Sequence, residues 1–258
     1  MVSVALQGVF RSLRLYHGPG APKKAMDALY ATFVLPGDLV FDIGAHVGDR
    51  VSSFRRLGAQ VVALEPQPRL SRALRLIHGR DGHVMLLPAA VAAEDGQRTL
   101  YVNSSNPTVS TLSPAFLIEA DSAEGWLGQT WDDQVTVPCL TLDRLIGAFG
   151  LPAFIKIDVE GFEDEVLNGL TQAVPALSFE FTTIARDVAL RCLNRLAQIG
   201  DYRFDVALGE TQTLTFNAGI SATEMAHHIS NLPHAANSGD VYAVLQSEPP
   251  LRSGRGLG

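Results

Sequence analysis

One stretch near the start of the chain, residues 39–49, constrains the fold more than any other. It opens with a short apolar run interrupted by one acid, Leu39-Val40-Phe41-Asp42-Ile43, which is typical of a buried parallel strand. Gly44 and Gly48 follow, and the apolar residues after them have helical spacing. A strand, a glycine turn and a helix in this order allow the backbone and the helix N–H groups to approach a ligand closely.

The turn lacks the two common phosphate-binding patterns. G-x-G-x-x-G and G-x-x-x-x-G-K-[ST] are both absent there, and the pattern from Asp42 to Gly48 is D-x-G-x-x-x-G. A second predicted strand, 61–65, ends in Glu65 and is followed by Pro66. An acid at this strand end can accept hydrogen bonds from both hydroxyls of a ribose. An acid there without a pyrophosphate loop favours a nucleoside cofactor such as S-adenosylmethionine.

Predicted strands and helices alternate along most of the chain, which indicates a mostly parallel sheet with helices on both faces. Ligands of such sheets bind at the carboxyl ends of the strands. Asp42, Glu65 and Asp158 all lie at or beside such ends, so we expect them to share one site. Two further strands are predicted at 99–102 and 135–137. The polar segment between them is predicted to be a partly mobile loop over the substrate.

Composition and charge exclude several classes of function. The net charge of −7 disfavours a nucleic-acid partner, and no apolar run approaches the ~20 residues that span a bilayer. Cys139 and Cys192 have no metal-ligand spacing, and we expect them to be buried thiols of a cytoplasmic protein. The N-terminal segment does not have the pattern of a signal peptide. No metal site is predicted, because two carboxylates two residues apart, Asp158 and Glu160, are too little evidence for a divalent-cation site.

Four motifs resemble those of FkbM-type S-adenosylmethionine-dependent methyltransferases, over residues 36–246. They are Pro36–Gly48, Ala63-Leu64-Glu65-Pro66, Val137–Asp143 and the segment Ile155–Glu163 with Val166-Leu167-Asn168-Gly169 behind it. The resemblance implies a Rossmann-like class I methyltransferase of α/β class, with a mostly parallel seven-stranded sheet whose last strand is antiparallel. The two further strands predicted at 99–102 and 135–137 add a β-rich insertion after the third strand.

The strand-end positions and the resemblance together give the expected site residues, and His46 is included because an imidazole can take up a proton near neutral pH. Those expected to bind S-adenosyl-L-methionine are Asp42, Gly44, Ala45, His46, Gly48, Glu65, Pro66 and Asp158. Those expected to be catalytic are Asp158, Glu160 and His46. His46 stands where the family usually has Asn, so it is a departure beside the cofactor turn. Each assignment has a structural alternative. The glycines can simply form a turn, and Glu160 precedes Glu163, Asp164 and Glu165, acids that a helix start favours.

The expected function is methyl transfer to a hydroxyl of a sugar, lipid or secondary metabolite, and the expected partner is a small polyhydroxylated acceptor. Two alternatives stay open: N-methylation of a cationic amine or protein side chain, and a non-catalytic module that binds the cofactor. We expect a helical segment at 1–35 that packs on the core, a methyltransferase domain at 36–248 with an insertion near 97–138, and a disordered tail at 249–258. Homo-oligomerisation is left open.

Overall fold

The computed structural model describes residues 4–18, 23–216 and 218–246. The predicted disordered tail, 249–258, lies outside the described residues.

Seven strands form the central sheet, in the order β3-β2-β1-β7-β8-β10-β9. They are β1 (Leu39–Ile43), β2 (Gln60–Leu64), β3 (Val84–Leu87), β7 (Phe154–Ile157), β8 (Ala176–Thr182), β9 (Tyr202–Leu208) and β10 (Ser238–Leu245). β10 runs antiparallel to both of its neighbours, and the other pairs are parallel. This is the mostly parallel seven-stranded sheet, with its last strand antiparallel, that the sequence predicts.

Helices flank this sheet, and three shorter strands form a second sheet in the order β4-β6-β5. The short strands are β4 (Ala90–Val91), β5 (Gly96–Val102) and β6 (Asp133–Leu140). The helices are α1 (Val4–His17), α2 (Lys23–Tyr30), α3 (Asp49–Arg56), α4 (Pro68–His78), α5 (Pro114–Ser122), α6 (Leu142–Phe149), α7 (Glu163–Asn168), α8 (Arg186–Ile199) and α9 (Ala222–Asn231). Within the described ranges, no helix is long and apolar enough to cross a membrane.

The segment between β5 and β6 is more ordered than predicted. It was expected to be a polar loop, but it contains α5 and two short 3-10 helices, Pro107–Val109 and Glu124–Trp126. The Ser113 side chain caps α5 by accepting a hydrogen bond from the Phe116 N–H group, and Pro114 occupies the first turn. Phe116 is buried and packs edge-on against Trp126. Capping and aromatic packing therefore hold the segment in place.

The central sheet divides the core into two layers because successive side chains of a strand point to opposite faces. On β1, Phe41 and Ile43 belong to the larger apolar cluster, whereas Val40 belongs to the smaller one with Tyr30 and Phe54. This burial on both faces is why β1 is apolar at almost every position. Asp42 and its neighbour in register on β7, Lys156, are charged exceptions in these middle strands.

The N-terminal helices contact the sheet-and-helix core at different places. α1 contacts α4 and the Pro107–Val109 turn, whereas α2 contacts α3. Ala5, Val9 and Ser12 are the buried side of α1, and the His17 Nε2 atom lies 2.8 Å from the carbonyl oxygen of Val47. The end of α1 is thereby fixed beside the glycine turn that follows β1.

The turn after β1 leaves no room for a side chain at Gly44. Gly44 has a φ of +84°, and a Cβ atom there would lie 1.9 Å from the backbone oxygen of Asp158. The Gly44 and Ala45 N–H groups both donate to the Leu64 carbonyl oxygen, which fixes the turn against β2. The close crossing of the chain at this point therefore requires glycine.

We predict that Gly44→Ala destabilises the protein, because backbone strain of about 1–3 kcal/mol adds to the clash with Asp158. Gly82→Ala is the matched control, since a Cβ at Gly82 meets nothing within 4 Å. The measurement is urea unfolding of both variants and the unsubstituted protein. A Gly44→Ala variant as stable as Gly82→Ala would contradict this description of the turn.

Candidate active site

A cavity lies at the carboxyl ends of β1, β2, β7 and β8, between the glycine turn and the second sheet. Its empty space is about 1020 Å³, including part of the open solvent at its mouth. Seven of the residues that line it are acids and two are permanent cations: Asp42, Asp49, Glu65, Asp158, Glu160, Glu180 and Glu210 against Arg50 and Lys156. The cavity therefore favours a ligand that carries positive charge and hydroxyl donors.

Glu65 is buried at the end of β2, and the backbone holds its carboxylate. Oε2 accepts a hydrogen bond of 2.9 Å from the His46 N–H group, and Oε1 accepts one of 2.7 Å from that of Gln67. A carboxylate has about four acceptor positions, so each oxygen keeps one for a ligand. Burial raises the pKa of Glu65 to about 8, and the two backbone hydrogen bonds oppose this.

Asp42 is buried at the end of β1 and lacks a donor on one oxygen. It is 2 % exposed, and its Oδ2 atom has no hydrogen-bond partner among the described residues. Burial raises the pKa of this carboxyl to about 7, and nearby Asp49 adds to the effect. A buried polar atom without a partner is costly, so an ammonium or hydroxyl donor from a ligand would be favourable here.

His46 follows the glycine turn with a φ of +50° and faces Tyr16 of α1. The two rings meet edge to face at 5.3 Å, and the Nε2 atom of His46 lies 3.5 Å from the Thr108 hydroxyl. Burial lowers the pKa of His46 to about 4. The ring is therefore neutral at physiological pH and a weak base.

Asp158 follows β7 and forms an ion pair with Lys156, a buried lysine of β7. The Lys156 Nζ atom lies 3.1 Å from Oδ2 of Asp158 and 2.7 Å from Oδ1 of Asp240. Burial by itself would raise the pKa of Asp158, but Lys156 and Arg50 lower it to about 2. Lys156 and Arg50 therefore favour the ionised form of Asp158.

Glu160 and Glu163 follow Asp158 but differ in their hydrogen bonding. The Oε1 atom of Glu163 accepts hydrogen bonds from the Val159 and Gly161 N–H groups, so Glu163 fixes the loop between β7 and α7. Glu160 is 7 % exposed, lines the cavity, and has no hydrogen-bond donor in the part of the chain that the structure describes. Burial, Asp158 and Glu163 raise the pKa of Glu160 well above its usual value.

The cavity brings together most of the predicted site residues. Its lining includes Asp42, Gly44, Ala45, His46, Glu65, Pro66, Asp158 and Glu160. Gly48 lies outside the lining. A Cβ atom on Gly48 would lie 2.5 Å from Leu74 and 2.8 Å from His78 of α4, so the missing side chain admits that helix. Contact between Gly48 and the cofactor stays a prediction.

Several residues that the sequence analysis did not single out also line the cavity. They are Tyr16, Arg50, Gln67, Thr108, Lys156, Glu180 and Glu210, among others. A signal existed for two of them. Lys156 and Glu180 are single charges inside apolar strands, in Ile-Lys-Ile and Phe-Glu-Phe, and such charges are rarely buried without a partner or a role. Tyr16 and Glu210 belong to segments that are distant in the sequence, and no local sequence pattern indicates that they line the cavity.

The polar residues of the segment after β5 divide into two groups. Ser110 lines the cavity. In contrast, the Ser105 hydroxyl and the Asn106 N–H group both donate to Oδ1 of Asn103. The Ser104 N–H group donates to Asp132. These bonds order the segment after β5, and Ser104, Ser105 and Asn106 do not line the cavity.

The residues present fit S-adenosyl-L-methionine. Glu65 has free acceptor positions for ribose hydroxyls, and Asp42 has a buried oxygen without a donor. The Gly44 turn passes close to Asp158 without a side chain in between. The acidic lining suits the positive sulfonium and ammonium groups of this cofactor.

Comparison with known proteins gives the class and then the family. The mostly parallel seven-stranded sheet is Rossmann-like, and the Methyltransferase FkbM domain matches residues 42–191, more than half of the chain. The chain therefore belongs to the FkbM methyltransferase family. It is an S-adenosyl-L-methionine-dependent methyltransferase.

Solved structures resemble the chain in outline. Precorrin-6y C5,15-methyltransferase from Geobacter metallireducens is 12 % identical, with a TM-score of 0.46 over 87 % of this chain and 86 % of that one. An O-methyltransferase from Bacillus cereus in complex with SAH is 10 % identical, with a TM-score of 0.46 over 95 % and 92 %. No curated protein matches the sequence.

The raised pKa of Asp42 makes the free energy of unfolding depend on pH. Its pKa in the folded protein is about 7, against a reference value of 3.8. The folded state therefore holds a proton that the unfolded state has lost, and the contribution of Asp42 to stability falls as the pH rises from about 4 to about 7. We predict that the free energy of unfolding of Asp42→Asn falls less over this range than that of the unsubstituted, ligand-free protein.

The measurement is urea unfolding at several pH values. Glu94 is an exposed acid, and Glu94→Gln is the control whose profile should follow that of the unsubstituted protein. An Asp42→Asn profile that runs parallel to both would show that Asp42 is already ionised in the folded state.

Proposed function

We propose that this methyltransferase acts on the hydroxyl group of a small polyhydroxylated acceptor. One observation carries the proposal: Glu160 is a buried carboxylate without a hydrogen-bond donor among the described residues, and it faces the cavity beside Asp158. A hydroxyl group is a poor nucleophile until it loses its proton, so its methylation benefits from a general base. A buried carboxylate with a raised pKa is suited to that task.

The cofactor would lie along the ends of β1 and β2. Glu65 would accept hydrogen bonds from the ribose hydroxyls, and Asp42 would face the amino group, directly or through a water molecule. The backbone at Gly44, Ala45 and His46 would follow the methionine part. Pro66 and the apolar side chains of Ala89, Ala90, Val91, Leu100 and Leu112 would enclose the adenine ring.

Methyl transfer depends mainly on positioning. When bound, S-adenosylmethionine supplies a methyl group that forms a bond to the acceptor oxygen as its carbon–sulfur bond breaks, leaving S-adenosylhomocysteine. Glu160 takes the proton that the hydroxyl group loses. Asp158, held by Lys156, accepts a hydrogen bond from the acceptor and remains charged beside the sulfonium. His46 is the weaker candidate for the base, because burial lowers its pKa to about 4.

The surrounding segments have proposed roles as well. We assign residues 36–248 to the methyltransferase domain and take 97–138, which includes α5, as a β-rich insertion that bounds the acceptor side of the cavity. Within the proposed N-terminal segment, residues 1–35, the described helices α1 and α2 contact this domain, and α1 supplies Tyr16 to the cavity. A cytoplasmic location fits two free buried cysteines.

A second candidate function is N-methylation of a cationic amine. The observation that favours it is the excess of acids in the cavity lining. An amine must also lose a proton before it can attack, so the same carboxylates would serve. Screening amines, peptides and polyhydroxylated compounds as acceptors with a methyl-labelled cofactor distinguishes the two reactions.

Cofactor binding through Glu65 is directly testable. We predict that Glu65→Ala weakens the binding of S-adenosylhomocysteine about 10²- to 10⁴-fold, because two hydrogen bonds to a carboxylate are lost, each of about 1.5–3 kcal/mol. Isothermal titration calorimetry measures this, and the exposed Glu94→Ala is the control. Unchanged affinity in Glu65→Ala would rule out the assignment of Glu65 to the ribose.

The general base is testable once screening has found an acceptor. We predict that Glu160→Gln lowers kcat by about 10²- to 10⁴-fold and leaves the affinity for S-adenosylhomocysteine nearly unchanged. Glu165→Gln, on the same segment but outside the cavity lining, should keep normal turnover. If Glu160→Gln is as active as Glu165→Gln, Glu160 is not the base.

A further inference from the structure

Three carboxylates meet where β7 and β8 end. Asp158, Glu160 and Glu180 each offer one oxygen, and these oxygens all lie within 4.8 Å of one another. All three residues line the cavity. Carboxylates this close cannot all be ionised unless a proton or a cation lies among them.

The side chains around this carboxylate cluster leave it without enough donors. Glu160 is more than nine-tenths buried, and no described residue donates a hydrogen bond to it. The Oε2 atom of Glu180 is also buried without a partner among the described residues. Two of the three carboxylates therefore lack a compensating positive charge. This observation is independent of the short distances between them.

The nearby cations are already engaged elsewhere. Lys156 binds Asp158 but also binds Asp240, so its one charge faces two carboxylates. Arg50 forms ion pairs with Asp49 and Glu210. Neither cation donates to Glu160 or Glu180. A charge of +2 among the three clustered carboxylates would offset most of the negative charge that Lys156 leaves uncompensated there.

We propose that Asp158, Glu160 and Glu180 bind a divalent cation, Mg²⁺ or Mn²⁺, and the proposal rests on the methyl-transfer function given above. Hard divalent cations prefer carboxylate oxygens. Octahedral ligands of Mg²⁺ are about 2.9 Å apart when adjacent and about 4.1 Å apart when opposite, so the three oxygens would draw closer together around the bound cation. The remaining coordination positions face the cavity and are open to water or acceptor.

A bound cation would restrict the chemical groups that an acceptor must carry. It favours a compound with two neighbouring oxygen donors, such as a vicinal diol or a hydroxy ketone, because such a compound occupies two open positions. Binding to the cation lowers the pKa of the acceptor hydroxyl. Each carboxylate contributes one oxygen to the cation, so the second oxygen of Glu160 stays available for the acceptor proton.

The experiment titrates Mn²⁺ into the full-length protein and follows free Mn²⁺ by electron paramagnetic resonance, with and without saturating S-adenosylhomocysteine. We expect one Mn²⁺ per chain, bound below about 1 mM, and displaceable by Mg²⁺. Glu180→Gln should weaken binding by at least about tenfold. Glu94→Gln is the matched control and should bind Mn²⁺ as the unsubstituted protein does. Thermal unfolding and titration with S-adenosylhomocysteine check that Glu180→Gln still folds, and Glu160→Gln serves if it does not.

Each outcome supports or overturns the cation site. Stoichiometric binding that is lost in Glu180→Gln, together with chelator-sensitive methyl transfer, supports it. Absence of Mn²⁺ binding, or equal binding by Glu180→Gln and Glu94→Gln, overturns it and leaves a shared proton as the explanation of the cluster. If S-adenosylhomocysteine binds and Mn²⁺ does not, the cation inference alone fails. If S-adenosylhomocysteine does not bind either, the proposed function fails with it.

Discussion

The ammonium group of Lys156 is buried in the middle of the central sheet, and the site depends on how its charge is compensated. Its side chain is 1 % exposed and lies between Asp158 and Asp240. Removing one partner of a buried ion pair is strongly destabilising, because the other charge remains without compensation. Lys156 therefore fixes Asp158 at the cavity edge and ties β7 to β10, although these strands are separated in the sheet by β8.

The register of the sheet places further polar side chains beside this ion pair, and together they form the site. Asp42 on β1 lies beside Lys156 on β7, and Asp240 on β10 lies beside Glu180 on β8. Four strands thus bring polar side chains to one edge, while their apolar neighbours fill the two core layers. The acid at the end of β2, Glu65, joins them through hydrogen bonds to the turn that follows β1. Cofactor and acceptor groups consequently share one acidic cavity.

The sequence predicts the parts of this arrangement that depend on local pattern. Apolar strands with acids at or near their ends identify β1, β2 and β7, and parallel pairing then brings Asp42, Glu65 and Asp158 together. Glu180 requires the register of β8, and Tyr16 requires the docking of α1, neither of which a local pattern contains. The helix α5 was missed because its apolar residues, Phe116 to Ile118, are consecutive instead of helically spaced. Its signals were the cap at Ser113 and the proline after it.

The central claim is that the ends of β1, β2, β7 and β8 form one site that holds the cofactor and presents its sulfur to the acceptor. A crystal structure with S-adenosylhomocysteine tests this most directly. The account predicts ribose hydroxyls within hydrogen-bond distance of Glu65 and a sulfur atom that faces Asp158, Glu160 and Glu180. A nucleoside bound away from Glu65, or a sulfur atom directed away from these carboxylates, would contradict it.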